Sequence, residues 1–162
     1  MKNPGRCLAV KNLLVVAHVP SRNTQRLLDA VMQGATSEQI EGVDVRHVRP
    51  LETGPEDVLR SDGIILGTTE NFGYMSGALK DFFDRSYYPC LEQTQGMPYA
   101  LYIRAGMDGT GTRIAVTRIT AGLRWKSIQE PFICRGAFQE DWLEQCQELG
   151  MTMAAGLETG IF

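Results

Sequence analysis

Three polar stretches of this 162-residue chain carry residue types that can do chemistry. In HVPSRNTQRLL, residues 18–28, Ser21, Asn23 and Thr24 bring two hydroxyls and an amide to the point where an apolar run gives way to helical spacing. Helix starts expose unpaired backbone N–H groups and the positive end of the helix dipole, so such a cluster can hold an anion without a metal. Taken alone, Ser21 or Asn23 also reads as an ordinary helix cap. In GTTENFGYMSGALKDFF, residues 67–83, Thr68 and Thr69 offer hydroxyls and Asn71 an amide. Gly73 permits a backbone conformation, or a close approach, that other residues resist, and Phe72 and Tyr74 can cover a planar ring. Ser76 reads as the cap of the helix that follows. In RAGMDGTGTR, residues 104–113, Gly106, Gly109 and Gly111 form a turn whose amides can face the polar rim of a ligand, with Asp108 and Thr110 to brace it. Arg104 reads either as a partner for bound charge or as an ordinary surface arginine.

These stretches exclude several chemistries. No GK[ST] follows the first one, so it is not a nucleotide-hydrolysing P-loop, and no GxGxxG dinucleotide fingerprint is present. His18 and His47 form no catalytic pair: His47 is expected exposed on a strand and His18 structural. The four cysteines, Cys7, Cys90, Cys134 and Cys146, are far apart without a CxxC, which points away from zinc and dithiol redox motifs. Cys134 and Cys146 lie in apolar patterns and are expected to be buried, while for Cys7 and Cys90 a more exposed position is open and nothing in their positions marks them as reactive.

Elements must bring the three stretches together. Residues 13–17, 63–67 and 99–103 are short apolar runs without alternation, as in strands covered on both faces. Residues 43–48 alternate apolar and polar like a half-exposed strand, and residues 127–135 contain Pro131, which belongs near an edge or bulge. Helical stripes fill the intervals: Leu27, Leu28, Val31 and Met32; Leu79, Phe82 and Phe83; Ile114, Ala115, Ile119 and Leu123; and Trp142, Leu143, Cys146, Leu149 and Met153. A short helix is expected over residues 56–60.

Strand and helix alternate five times, which predicts an α/β, flavodoxin-like three-layer sandwich: one domain, residues 1–162, with a five-stranded parallel sheet and helices on both faces. The uninterrupted runs belong in the centre and the other two at the edges, giving the spatial order 2-1-3-4-5. In that order the three stretches follow strands one, three and four. They therefore meet at the crevice at the strands' carboxyl ends, where such sheets bind ligands. An anion pocket beside polar backbone and aromatic faces fits a phosphate on a flexible stem joined to a flat heteroaromatic ring; flavin mononucleotide, FMN, is the obvious candidate.

At 43% apolar residues and net charge −3, the chain can bury a core unaided, and its scattered Lys and Arg offer no concentrated basic face for nucleic acid. The modest charge also counts mildly against a dedicated electron carrier. The start MKNPGRCLAV lacks the apolar core of a signal peptide and no run approaches a membrane span, so a cytoplasmic protein is expected.

The three stretches also resemble a known family. HVPSRNT is similar to the phosphate loop of flavodoxin-like proteins, with Val19 where a hydroxyl is usual and Arg22 where glycine is usual. GTTENFGYMSGALKDFFD resembles a segment of NAD(P)H:quinone oxidoreductases related to the tryptophan-repressor-binding protein, sharing the Phe-Gly-x-Met-Ser-Gly core at residues 72–77. RAGMDGTGTR resembles the glycine-rich loop of NAD(P)H-dependent FMN reductases. The resemblance implies non-covalent FMN, its phosphate held by Ser21, Arg22, Asn23 and Thr24. It implies a ring lined by Thr68, Thr69, Glu70, Asn71, Phe72, Gly73 and Tyr74, and by Arg104, Ala105, Gly106, Asp108 and Gly109. The activity implied is transfer of electrons from NAD(P)H, as co-substrate, through FMN to a small-molecule acceptor such as a quinone or free flavin, with no general acid or base strictly required. The alternatives are a flavodoxin-type single-electron carrier and a flavin-free fold relative acting in protein association. The chain carries no long insertion after the second or fourth strand of the kind that builds quinone pockets and tetramer contacts, and a homodimer or homotetramer stays open.

Overall fold

The computed structural model describes residues 9–162; Cys7 lies outside them. In chain order the elements are β1 (Lys11–Ala17), α1 (Arg22–Ala35), β2 (Val43–Val48), a 3₁₀ turn (Pro50–Glu52), α2 (Pro55–Leu59) and β3 (Gly63–Asn71). There follow β4 (Tyr74–Met75), α3 (Gly77–Cys90), β5 (Pro98–Ala105), α4 (Thr110–Gly122), β6 (Lys126–Ser127), β7 (Phe132–Arg135) and α5 (Asp141–Thr159).

The sheet runs β2-β1-β3-β5-β6, with β7 also paired to β5. Apart from β4, every pairing is parallel. The expected order 2-1-3-4-5 holds, with β5 as the fourth strand and β6 and β7 as two pieces of the fifth. The break is physical: β6 pairs with Pro98 and Tyr99, β7 with residues from Tyr102 onward, and Pro131, which has no N–H to give a ladder, sits between them. One apolar cluster, with Leu13, Val15, Leu27, Val31, Cys146 and Met153, fills the space between the sheet and the α1 and α5 pair. A second, with Leu14, Val16, Ile64, Leu66, Leu79 and Phe82, lies on the opposite face. The uninterrupted apolar runs are therefore buried on both sides, as a central parallel strand requires.

Two expectations need correction. On α4, Ala115 and Ile119 pack against the core and Leu123, just beyond the helix, is buried in it as expected, but Ile114 is 45% exposed and the most buried positions are Thr112, Val116 and Thr120. The polar residues after Gly67 do not form a loop directly: β3 continues to Asn71 and folds back on itself as a hairpin with β4. Cys90 is buried; Cys134 and Cys146 are buried as expected.

Candidate functional site at the carboxyl rim of the sheet

The first stretch becomes the start of α1. Ser21 is its N-cap in a closed capping box: its Oγ accepts from the Thr24 amide at 3.2 Å, and the Ser21 amide donates to Thr24 Oγ1 at 3.0 Å. Thr24 is buried and its hydroxyl also donates to the Ser21 carbonyl. Thr24 thus shapes the turn, while Ser21, Arg22 and Asn23 are exposed. The amides of Arg22 and Asn23 precede the capped one and have no acceptor within the helix, so the turn presents two free donors at the positive end of a 14-residue helix. Val19, in the place of a hydroxyl, packs against the core instead.

In the second stretch, Thr68 is buried; its hydroxyl donates to the Thr69 carbonyl and accepts from the Ser76 amide. Thr69 donates to the Asn71 side-chain carbonyl at 2.9 Å, which leaves the amide nitrogen of Asn71 at the exposed end of the strand. The hairpin turns on Phe72 (φ 53°) and Gly73 (φ 72°). Two consecutive positive φ values are what the tight primed hairpin turn demands, easy for glycine and strained for phenylalanine. Phe72 is nevertheless there, and fully exposed. Ser76 caps α3 through the Leu79 amide, as its position predicts.

Glu70 ties the second stretch to the third. Its carboxylate accepts from the Met107 amide at 3.0 Å and from the Gly109 amide at 2.7 Å. Gly109 caps α4 in the left-handed region (φ 72°), where an added Cβ would stand 2.7 Å from Ile133. Gly111 approaches the hairpin so closely that a Cβ there would fall 2.0 Å from the Gly73 carbonyl oxygen. Asp108 accepts from the Thr110 amide, and Gly106 faces open space. Ala105 is buried. Arg104 is committed to the fold: it donates to the carbonyls of Ala105, Cys134 and Gly136 and lies over the Trp142 ring at 5.1 Å. Its contribution here is to hold β5 against the segment after β7.

The three turns therefore rise from adjacent strands. The His18 amide donates to the Gly67 carbonyl at 2.9 Å, joining the root of the first turn to β3, and Glu70 joins the second turn to the third. Beside the first turn lies a cavity of about 310 Å³ lined by Ala17, His18, Val19, Arg49, Pro50, Leu51, Glu52 and Ala78. It shares none of its lining with the sixteen residues expected at the site. One of its walls is a fourth segment, the 3₁₀ turn after β2, outside the three turns that the sequence brings together. The pattern Arg-Pro-Leu-Glu directly after a strand was the available signal. Burial pushes the pKa of His18 below the ordinary histidine range, so the ring lining this cavity favours its neutral form. His47 is part-buried, not exposed; its Nε2 lies 3.3 Å from the Ala17 carbonyl.

Strand order, helices on both faces and a crevice at the carboxyl ends of β1, β3 and β5 define a flavodoxin-like protein in fold. Comparison with known proteins agrees. An archaeal flavodoxin structure superposes with a TM-score of 0.75 at 18% identity, covering 90% of this chain and 98% of that one. In sequence, the chain is 31% identical over 107 residues to a flavodoxin of Aquifex aeolicus, 66% of this chain and 57% of that one. It is 32% identical over 95 residues to an NAD(P)H dehydrogenase (quinone) of Acidithiobacillus ferrooxidans, 48% of each. The chain spans about half the length of the curated relatives it matches. No family model matches it.

Proposed function

We propose that the chain is an FMN-binding oxidoreductase that takes electrons from NAD(P)H and passes them to a small acceptor such as a quinone or free flavin. The observation that carries this reading is the Glu70 bridge. It fixes the hairpin and the glycine-rich turn side by side above β3 and β5, next to the open start of α1. The residues suit the group. The amides of Arg22 and Asn23, with the Ser21 hydroxyl and the Arg22 guanidinium, supply donors and charge for a phosphate. Gly73 and Gly106 face open space into which a flat ring can pass, with Phe72 and Tyr74 as apolar cover. Bound FMN would supply two-electron chemistry; the chain binds it, orients it and sets its surroundings. The names of the two relatives, a flavodoxin and a quinone-dependent NAD(P)H dehydrogenase, support a redox role of this kind.

A second reading, a single-electron carrier, is favoured by Phe72 and Met107, both largely exposed at the rim where a docking protein would meet the flavin. Anaerobic stopped-flow mixing of the FMN-loaded chain with NADH and NADPH decides between them. Rapid bleaching of the flavin absorbance by either nucleotide is expected; flavin binding without bleaching would leave the carrier, and no flavin binding at all would remove both. Among the described residues no helix is long and apolar enough to cross a membrane. The reading places the protein in the cytoplasm, where nicotinamide nucleotides are available.

A further inference from the structure

The cavity beside the first turn has no part in holding FMN on the reading above, yet it is built rather than incidental. Its outer wall, the 3₁₀ turn, is fixed from two sides. Arg85 of α3 donates to the Pro50 and Thr53 carbonyls at 2.9 and 2.8 Å, and the wholly buried Thr53 donates to the Arg49 carbonyl at 2.7 Å. Its inner wall is the end of β1, held to β2 by the contact between His47 and the Ala17 carbonyl. The volume, about 310 Å³, suits one nucleoside-sized group rather than a whole dinucleotide.

The lining has a definite chemistry. Val19, Pro50 and Leu51 offer apolar surface to a flat base. Arg49 is the first residue after β2; it is exposed and, among the described residues, has no acidic side chain within ion-pair distance. Glu52 follows three residues later, again without an ion-pair partner among the described residues. In doubly wound sheets of the Rossmann type an acidic side chain in this region accepts from the ribose 2′-hydroxyl of an unphosphorylated dinucleotide, or an arginine there accommodates a phosphate on the 2′ position. Both chemistries stand here at one cavity, at the carboxyl end of the strand next to β1.

We propose that this cavity is the subsite for the adenosine half of the nicotinamide donor, with Arg49 reading a 2′-phosphate and Glu52 accepting from the 3′-hydroxyl that the phosphate leaves free. The chain therefore prefers NADPH to NADH. The proposal rests on the reading above only in taking a nicotinamide nucleotide as donor.

The test uses two fragments that need no flavin, adenosine 2′,5′-bisphosphate and adenosine 5′-phosphate, titrated calorimetrically into the full chain. The bisphosphate is expected to bind about tenfold or more tightly than the monophosphate, as a charge-assisted phosphate contact implies. Arg49→Ala is expected to erase that ratio by weakening the bisphosphate alone, and Arg49→Lys to restore part of it. Equal affinities of the two fragments for the wild type, an unchanged ratio in Arg49→Ala, or no heat with either at millimolar concentration would each overturn the assignment. An FMN titration of the wild type, followed by fluorescence quenching, reports separately. Fragment binding without FMN binding overturns the oxidoreductase reading and leaves the subsite standing; FMN binding without fragment binding does the reverse.

Discussion

Phe72 holds a backbone conformation that an L-residue with a bulky side chain adopts at a cost of about 1–2 kcal/mol, and it presents its whole ring to solvent. Strain and exposure together indicate a side chain kept for what it touches rather than for the fold. Phe72→Asn, which tolerates the left-handed region, should therefore stabilise the chain by about 0.5–1 kcal/mol in urea denaturation. The same change should weaken FMN binding. A variant that is both more stable and equally able to bind FMN would remove Phe72 from the ring cover. His18 gives a pH-dependent outcome. Burial lowers its folded pKa below 6.5, so the unfolded chain takes up the proton more readily. The stability tied to its neutral form is complete above about pH 6.5 and is lost as pH falls from there toward the lowered folded value. His18→Asn should flatten that part of the stability profile; an unchanged slope between pH 7 and 5 would show that other groups produce it.

Among the elements, the tightest pairing is α1 against α5, and glycine makes it. A Cβ on Gly34 would fall 1.9 Å from the Gln147 carbonyl oxygen, and one on Gly150 would fall 2.0 Å from that of Val31. Both obstacles are backbone, so a side chain can be admitted only by moving a helix. Gly34→Ala should cost about 3 kcal/mol despite alanine's better helix propensity. Chemical denaturation measures it, and a stabilised variant would mean that the helices are not seated as described. The sequence pattern places both helices, but a glycine inside a helix says nothing of which neighbour it meets. The hairpin within the second stretch shows the same limit. Asn71 and Gly73 read as loop residues because they are turn-forming, and Phe72 between them is carried along. Only the pairing of Glu70 with Met75 and of Asn71 with Tyr74 makes the segment a strand that folds back.

On the scale of the whole molecule, the sheet separates two apolar clusters, and the candidate site stands at the carboxyl end of its strands. A ligand bound there stabilises the folded chain by mass action. With FMN at about 100 times its dissociation constant, the gain is about 2.7 kcal/mol. For a chain of this size that raises the melting temperature by about 5–10 °C. Differential scanning fluorimetry with FMN, and with riboflavin as the form lacking phosphate, checks this. A shift of equal size with riboflavin would deny the α1 start its part in binding. The three described cysteines play no role at that rim. All are buried, and burial raises the Cys90 thiol to about 11, with the Glu56 carboxylate adding to it. The hydrogen bond to Cys134, with burial, pushes Cys146 far higher still.

The sequence by itself determined the five main strands and the helices between them, which strands are central, and that three turns share one rim. Runs covered on both faces, edge-strand alternation and a proline break are local patterns that directly reflect burial. Tertiary structure alone decided which partners each polar residue at that rim meets. Thr24 and Arg104 have the right chemistry for a ligand but are engaged with the chain's own hydroxyls and carbonyls. Glu70 serves as the bridge between two turns, and Arg49 and Glu52 arrive at the cavity from the segment after β2, which the turn motifs do not include. A hydrogen-bonding group has one chemistry and many potential partners, and the partner it meets depends on contacts between residues tens of positions apart.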